Sequence, residues 1–226
     1  NHLFDQDLIH QFESRGYTRC PSSPYSFTKR CPHNPLNYLT VSMNVDDGEY
    51  VSTSDTLLEE LQSFIRHRWG PHTQFIEPSP GMCGIRMTHH SNRDISMDYG
   101  PYIRKVLRRI GMHTIPPALT PSLAHFFDPP TDPTPASPTA HTEFQRINGE
   151  LIFIIPLRHD CRMEINHLCS ANGAPTQSDL DKQFQLLRYL HGCPDIGPTF
   201  SANPLDHPRG VEIHSASDSS HNTHPT

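Results

Sequence analysis

The sequence predicts a mixed α/β (α+β) chain in which an antiparallel β-hairpin precedes a small helical bundle. Two short runs rich in β-branched and aromatic residues within 38–54 flank a polar turn at 45–48, which is typical of a hairpin. Three later stretches, 144–157, 160–170 and 178–191, carry apolar residues at helical spacing. Because the connections between these stretches are short, we expect their helices to pack antiparallel into a bundle.

The composition indicates a chain with a small apolar core and many loops. Only 34% of its 226 residues are hydrophobic and 23 are proline, which suits a fragment or a module packed against a partner better than a self-sufficient globule. The first residue is Asn1 rather than methionine, so we expect the natural polypeptide to be longer. The net charge of −6 argues against indiscriminate nucleic-acid binding but leaves room for a local basic surface.

The cysteines and the hydropathy restrict the classes of protein and site. The six cysteines include no Cys-x-x-Cys pair, so we expect free thiols in a reducing compartment. No Cys/His set has the spacing of a structural zinc site. The sequence contains no run of about 18 apolar residues and no signal peptide, and therefore predicts no membrane span.

Local signals predict the elements around the hairpin. Apolar residues at i, i+4 and i+8 predict a helix over 3–12, which Gly16 closes. The alternating residues 25–29 predict a strand that leads into the hairpin. After the hairpin, Ser54 is placed to cap a helix that ends at Trp69.

The next segment combines a strand that contains glycine with a basic helix. Residues 82–87 alternate like a strand, and Gly84 within them permits either a bulge or a close approach of the backbone to a ligand. A short run at 95–97 leads to a helix over 101–110 with one apolar side. The other side of this helix carries four basic residues, Arg104, Lys105, Arg108 and Arg109. Clustered basic side chains suit phosphate contacts and equally suit a solvated charged face, and the sequence leaves both open.

The second half of the chain carries fewer signals outside its three helical stretches. Residues 115–142 are rich in proline and predict an extended linker without a fold of its own. Ser178 is placed to cap the last of the three helices. Residues 211–217 alternate as a strand that leads to Asp218.

The adjacent carboxylates of Asp46 and Asp47 allow two interpretations. Asp before Gly48 is a favoured tight-turn dipeptide, because glycine accepts a positive φ. Alternatively, two carboxylates on a rigid turn are ligands that Mg²⁺ prefers, and a pair of such ions serves nucleotidyl transfer. That site would need a further carboxylate from another strand.

Several motifs resemble one family, in the same order, along nearly the whole chain. The segment 44–47, Asn-Val-Asp-Asp, resembles the Tyr-Val-Asp-Asp box of reverse transcriptases, specifically those of copia-type long-terminal-repeat retrotransposons. The segments 148–152 and 187–192 resemble that family's Gly-Ser-Leu-Leu-Tyr helix and its Leu-Arg-Tyr-Leu-Lys-Gly ending. Asn44 departs from the family, which has an aromatic residue there beside the incoming nucleotide and the primer end.

The resemblance implies a division of the chain into four parts. A partial reverse-transcriptase palm, with the start of the thumb, would occupy 1–114, and the linker 115–142 would follow. A helical thumb and connection would occupy 143–200. Residues 201–226 would be the truncated start of a ribonuclease H-like domain, and the palm's remaining metal carboxylate would lie upstream of this sequence.

The resemblance also implies roles for individual residues. Asp46 and Asp47 would be the catalytic metal ligands, and Asp218 would be the first metal ligand of the ribonuclease H-like domain. The residues implied to contact nucleic acid are Asn44, Gly84, Arg104, Lys105, Arg108 and Arg109. The implied cofactor is Mg²⁺ or Mn²⁺.

The family further implies an RNA template and a DNA primer as partners, together with the rest of the pol polyprotein or a partner chain, and no membrane. It implies a location in a cytoplasmic virus-like particle or in the nucleus. The main alternative is a catalytically inactive, domesticated protein of retroelement origin that binds nucleic acid or has a structural role. Asn44, the missing carboxylate and the low overall basicity favour this alternative. A ribonuclease is a third interpretation.

Overall fold

The computed structural model describes residues 2–44, 47–70, 73–76, 81–129 and 132–201. These residues contain both helices and antiparallel strands, so the predicted α+β class is confirmed. Their buried apolar side chains form two clusters, one contributed by residues up to Phe64 and one by residues from Tyr99 onward. We call the first part the sheet unit, which runs to Gly70, and the second the bundle unit, which begins at Gly81.

The sheet unit consists of a four-stranded antiparallel sheet and two helices. Its strands are β1 (Thr18–Cys20), β2 (Ser23–Cys31), β3 (Asn34–Asn44) and β4 (Asp47–Ser52), which lie in chain order across the sheet. Its helices are α1 (His2–Glu13) and α2 (Asp55–Trp69). The hairpin and both helices were predicted from the sequence. Ser54 caps α2 as predicted, because its Oγ accepts a hydrogen bond from the Leu57 amide.

Alternation along the strands gives the sheet one apolar and one polar face. Phe27, Leu39 and Val41 are buried on the apolar face, where they pack against side chains of α1 and α2. The other face carries hydroxyl groups that are joined across β2 and β3. Ser26 and Ser42 share a hydrogen bond of 2.8 Å, and Thr28 and Thr40 share one of 2.9 Å.

The hairpin register corrects the predicted position of the turn. Asn44 pairs with Asp47 and Met43 pairs with Gly48, so Asp47 and Gly48 belong to β4 rather than to a turn at 45–48. Gly48 does not adopt a positive φ. A Cβ at this position would lie 2.7 Å from the Met43 Sδ, so the glycine makes room for the methionine on the neighbouring strand.

The bundle unit combines a second antiparallel sheet with four helices. The sheet contains β5 (Arg86–His89), β6 (Ile95–Asp98) and β7 (Thr199–Phe200), with β6 in the centre. The helices are α3 (Gly100–Arg109), α4 (Pro138–Ile152), α5 (Arg162–Ser170) and α6 (Gln177–Gly192). Short 3₁₀ turns lie at Met112–Thr114, His159–Cys161 and Ala171–Gly173.

Three predicted boundaries in this unit are wrong. The strand predicted over 82–87 begins only at Arg86, because the preceding residues form a turn in which Gly84 has φ 79°. The helix predicted over 144–157 begins at Pro138, after a Ser137 cap. Thr176 rather than Ser178 caps α6, and a reciprocal hydrogen bond from the Thr176 amide to the Asp179 side chain completes the capping box.

A buried polar network fixes the relative positions of α4, α5 and α6. The Asn148 side chain is fully buried and donates hydrogen bonds to the Leu168 carbonyl and the Asn172 Oδ1. Gln183 donates to the Asn148 Oδ1 at 2.7 Å and to the Phe144 carbonyl at 3.1 Å. Because a slip of one helix would leave these buried groups unpaired, the network favours a single packing arrangement.

The proline-rich segment is not the free linker that the sequence predicted. Its residues from 138 belong to α4, and the buried side chain of Phe126 packs into the bundle core. Six hydrogen bonds of the described residues tie the segment to α6: Ala118 N to Arg188 O, Arg188 Nε to Pro116 O, Gln185 Nε2 to Thr120 O, Lys182 Nζ to Asp128 O, Gln177 N to Thr134 O, and Ser178 N to Asp132 O. Prolines suit this packed segment, because proline has no backbone N–H and the segment therefore needs few hydrogen-bond acceptors.

The apolar clusters also divide the chain at a different point from the predicted boundary after residue 114. Tyr99, Ile103 and Leu107 belong to the bundle core rather than to the sheet core.

The predicted strand 211–217 lies outside the described residues. No helix in the described ranges has the length and apolar character needed to span a bilayer.

Tyr17 provides a test of packing in the sheet core. Its ring is 4% exposed, and its hydroxyl has no hydrogen-bond partner among the described residues. Burial, with a smaller contribution from Glu60, raises the pKa of Tyr17 to about 12. We expect Tyr17→Phe to stabilise the protein by about 1 kcal/mol at neutral pH, because it removes an unpaired buried hydroxyl.

The Tyr17→Phe substitution should also change how the stability of the protein depends on pH in the alkaline range. In the wild type the unfolded chain ionises Tyr17 near its ordinary pKa of about 10, below the folded value, so stability falls between these two pH values. Urea denaturation at neutral pH and near pH 11 would measure both effects. Tyr25→Phe, at an exposed position, is the control. A less stable Tyr17→Phe protein at neutral pH would show that the hydroxyl is satisfied.

Candidate nucleic-acid interface

The end of the β3–β4 hairpin presents two of the predicted site residues together. Asn44 and Asp47 are directly opposed in the sheet and both are exposed. Alternation along β3 places Asn44 on the same face as Ser42 and Thr40. Asp46, the other predicted catalytic carboxylate, lies outside the described residues, as does Asp218.

Asn44 also joins the hairpin to the bundle unit. Its Nδ2 donates a hydrogen bond to the Cys83 Sγ at 2.9 Å. Cys83 lies in the turn before β5 and has a positive φ of 54°. The amide of Asn44 is therefore engaged with this turn, at the position where the family has an aromatic side chain.

Gly84 follows Cys83 and contacts the bundle. A Cβ at Gly84 would lie 3.3 Å from the Phe153 ring, and the positive φ further favours glycine. Gly81 starts the same turn, and a Cβ there would lie 2.0 Å from the Ile85 carbonyl oxygen. Gly84 therefore lies in a tight turn packed on an aromatic ring rather than at a bulge within a strand.

The four basic residues of α3 divide into two pairs. Arg104 forms an ion pair with Asp195, and Arg109 forms ion pairs with Glu143 and Glu150. Lys105 and Arg108 are exposed, and neither has a carboxylate within ion-pair distance among the described residues. Of the four, Lys105 and Arg108 are therefore the two whose charge is available to an anionic partner.

An ion-pair network that the sequence analysis missed lies beside α3. Asp98 is buried and accepts hydrogen bonds from Arg86 Nε at 3.0 Å and Nη2 at 2.9 Å, and from the Gly100 amide at 2.7 Å. Asp195 bridges Arg86 and Arg104. Burial raises the pKa of the Asp195 carboxyl, but the two arginines outweigh burial and hold that pKa below its ordinary value.

This ion-pair network explains why residue 100 is a glycine and reduces the positive charge available at the surface. A Cβ at Gly100 would lie 2.1 Å from the Asp195 Oδ1, so a side chain there would displace the carboxylate from its arginines. The positive charges of Arg86 and Arg104 are balanced locally by Asp98 and Asp195. They contribute little to attraction of a distant anion.

The described residues do not form a complete metal site. Among them, no group of three His, Cys, Asp or Glu side chains lies close enough to hold a metal ion. Asp47 and the Asn44 side-chain oxygen are of the type that Mg²⁺ and Mn²⁺ prefer, but two such donors do not fix a catalytic ion.

The sheet unit presents a polar face and an exposed carboxylate at the hairpin end. Helix α3 of the bundle unit carries two exposed cations, Lys105 and Arg108. Serine, threonine, asparagine, lysine and arginine are the side chains that most often contact phosphate and sugar groups. No protein-family model matches the chain, and no curated protein and no solved structure matches it.

Proposed function

We propose that the chain is part of the palm and thumb of a copia-type RNA-directed DNA polymerase and that it binds a template–primer duplex. The observation that carries the proposal is the opposed pair of Asn44 and Asp47 at the end of a hairpin whose polar face bears joined hydroxyl groups. Lys105 and Arg108 support it, since their charges are available to phosphates. Asp46 and Asp47 would be the metal-binding carboxylates.

The second candidate is a nucleic-acid-binding protein of the same origin that has lost catalysis. It is supported by the engagement of Asn44 with Cys83 and by the net charge of −6, which is low for a polymerase that follows a nucleic-acid backbone. Both candidates require binding of nucleic acid, and they differ in whether Asp46 and Asp47 act in chemistry. Two experiments separate these questions.

The first experiment tests binding through α3. We expect Lys105→Ser with Arg108→Ser to weaken binding to an RNA–DNA hybrid duplex. The slope of log K against log salt should fall by about two, because each cation that neutralises a phosphate contributes about one unit of slope. The matched control is Arg104→Ser with Arg109→Ser. Both double variants change the net charge equally, but the control removes cations that are already paired with Asp195, Glu143 and Glu150.

Fluorescence anisotropy with a labelled hybrid over a salt series measures both the affinity and its salt dependence. A larger decrease of affinity and slope in the Lys105/Arg108 variant supports direct contact. Equal decreases in the two variants would mean that binding depends only on the total charge of the protein. Unchanged binding in both would show that α3 does not contact the duplex.

The second experiment tests catalysis. We expect the 226-residue chain to give no primer extension on an RNA template with Mg²⁺ or Mn²⁺, because two adjacent carboxylates from one hairpin, Asp46 and Asp47, give incomplete coordination for a pair of metal ions. Clear extension that Asp46→Asn abolishes and Asp55→Asn leaves intact would contradict this expectation. Asp55 is the control because it begins α2 and is not part of the hairpin.

A further inference from the structure

Two thiols and a guanidinium group form a second cluster of reactive side chains, in the bundle unit. Arg158 is fully buried, and its Nη2 lies 3.7 Å from the Cys161 Sγ and 3.6 Å from the Cys193 Sγ. The same guanidinium forms a two-point hydrogen bond with Asp160, at 2.9 and 2.8 Å, and donates to the Cys193 carbonyl. None of these residues belongs to the candidate nucleic-acid interface.

The two sulfur atoms share one neighbouring nitrogen atom, which limits their separation. Both lie within 3.7 Å of the same nitrogen atom, so their separation cannot exceed the sum of the two distances. Cys161 immediately precedes α5 and Cys193 immediately follows α6. Rotation about Cα–Cβ moves a sulfur atom between staggered positions, and the partly exposed Cys193 has more room for such a rotation than the buried Cys161.

Arg158 determines which chemistry these thiols can perform. Its positive charge lies beside both sulfurs and disfavours a bound cation, and the described residues contain no group suited to a metal. The nucleophilic form of a cysteine is its thiolate. The chemistry left to the pair is therefore attack on an electrophilic sulfur or oxygen.

The two cysteines differ in access to solvent. Cys161 is fully buried, whereas Cys193 is partly exposed. Burial raises the pKa of the Cys161 thiol despite the opposing effect of Arg158. Cys193 is therefore the thiol that an oxidant from solution reaches first. The buried Cys161 is placed to react in a second step, with the oxidised Cys193.

We propose that Cys193 and Cys161 form a reversible disulfide when the protein meets a peroxide. The Cys193 thiolate attacks one peroxide oxygen, so that an S–O bond forms, the O–O bond breaks and hydroxide leaves. The Cys161 sulfur then attacks the Cys193 sulfur, so that the S–S bond forms, the S–O bond breaks and a second hydroxide leaves. The two thiol protons convert both hydroxides to water. A small dithiol then reduces the Cys193–Cys161 disulfide by thiol–disulfide exchange, which restores both thiols and leaves the dithiol as its own disulfide.

The disulfide would join the start of α5 to the end of α6. It would close the chain between 161 and 193 and restrict the unfolded state, which stabilises the bundle unit if the native geometry is kept. Arg158 would no longer face two free thiols, but it would keep Asp160 and the Cys193 carbonyl as partners. The proposal is independent of the proposed polymerase function.

The test uses the reduced full chain with hydrogen peroxide, followed by alkylation of the remaining thiols and peptide mapping without reduction. We expect a cross-linked 161–193 peptide pair that dithiothreitol removes. We also expect the midpoint of thermal unfolding to rise by on the order of 5 °C after oxidation. Cys193→Ser should abolish both effects, whereas Cys169→Ser, a partly buried control on α5, should keep both.

Wild-type mapping keeps the proposal testable even if a variant fails to fold. Recovery of Cys161 and Cys193 as separate alkylated peptides, while Cys83 is oxidised, would overturn it, because Cys83 is the exposed cysteine of the described chain. Pairing of Cys161 with Cys169 would also overturn it. A cross-link that forms equally in urea would show that the folded geometry does not direct the reaction.

Discussion

Replacing Phe12 by alanine is expected to lower the free energy of unfolding of the sheet unit by about 3–5 kcal/mol. Phe12 is fully buried between α1 and the sheet. Its ring stacks on Phe27 with centroids 4.6 Å apart and meets Tyr17 and Phe64 edge-on at 5.2 and 5.3 Å. Truncation therefore opens a cavity and removes the contacts of Phe12 with three aromatic rings at once.

The single tryptophan offers a local measurement of this effect. Trp69 packs on Phe64 at 5.5 Å, so its fluorescence should report unfolding of the sheet unit. We expect the urea midpoint from tryptophan fluorescence to fall sharply in Phe12→Ala and to stay unchanged in Tyr25→Ala, an exposed control. A decrease below about 1 kcal/mol would mean that the neighbouring rings close the cavity.

The second large effect is expected at Arg158. Arg158→Ala breaks a buried ion pair and leaves Asp160 with two hydrogen-bond donors, the Tyr189 hydroxyl at 2.9 Å and the Cys161 thiol at 3.5 Å. Removal of one partner of a buried pair costs about 3–5 kcal/mol. We expect the lower end of this range, because the Asp160 side chain is 30% exposed and water can partly replace the guanidinium.

Circular dichroism at increasing urea concentrations would measure the Arg158 effect, with Arg146→Ala as the control. Arg146 pairs with Glu143 on the surface at 54% exposure, where an ion pair contributes little. Arg158→Lys should recover part of the stability, since it keeps the charge but not the two-point geometry. A wild-type-like Arg158→Ala protein would show that the pair is not needed for the fold.

The pH dependence of the two proteins should also differ. Burial raises the pKa of the Asp160 carboxyl, but the hydrogen bonds and charge of Arg158 outweigh it, so the pKa lies below its ordinary value. The stability from this pair is present above the unfolded pKa of about 4 and is lost as pH falls through the folded value. Wild type should therefore lose more stability on acidification than Arg158→Ala.

Elements with local signals were predictable from the sequence. The Ser54 cap and the apolar spacing of α2 lie within one helix, and both were confirmed. The hairpin was also found, but its register was not. Register depends on which residues face the core across two strands, and the Asp47-Gly48 dipeptide suggested a turn where the chain instead continues as β4.

The features that the sequence did not reveal depend on residues far apart in the chain. Asp195, in the loop after α6, forms ion pairs with Arg86 and Arg104. The sequence showed a cluster of basic residues, but in the fold part of their positive charge is neutralised by this carboxylate. No local pattern around Asp195 indicates which of the distant arginines it meets. The proline-rich segment likewise carried no periodic pattern that would predict its packing against α6.

The attachment of the proline-rich segment determines where the protein can be divided for expression. A cut immediately after Asp128 would separate α6 from the carbonyl groups that accept hydrogen bonds from Lys182 and Gln185, which are 5% and 8% exposed. The resulting piece would bury Gln185 without this acceptor, leave Lys182 with His167 as its partner, and expose the site of Phe126. A cut between α2 and β5 crosses neither apolar cluster, so a fragment intended to fold alone should begin there.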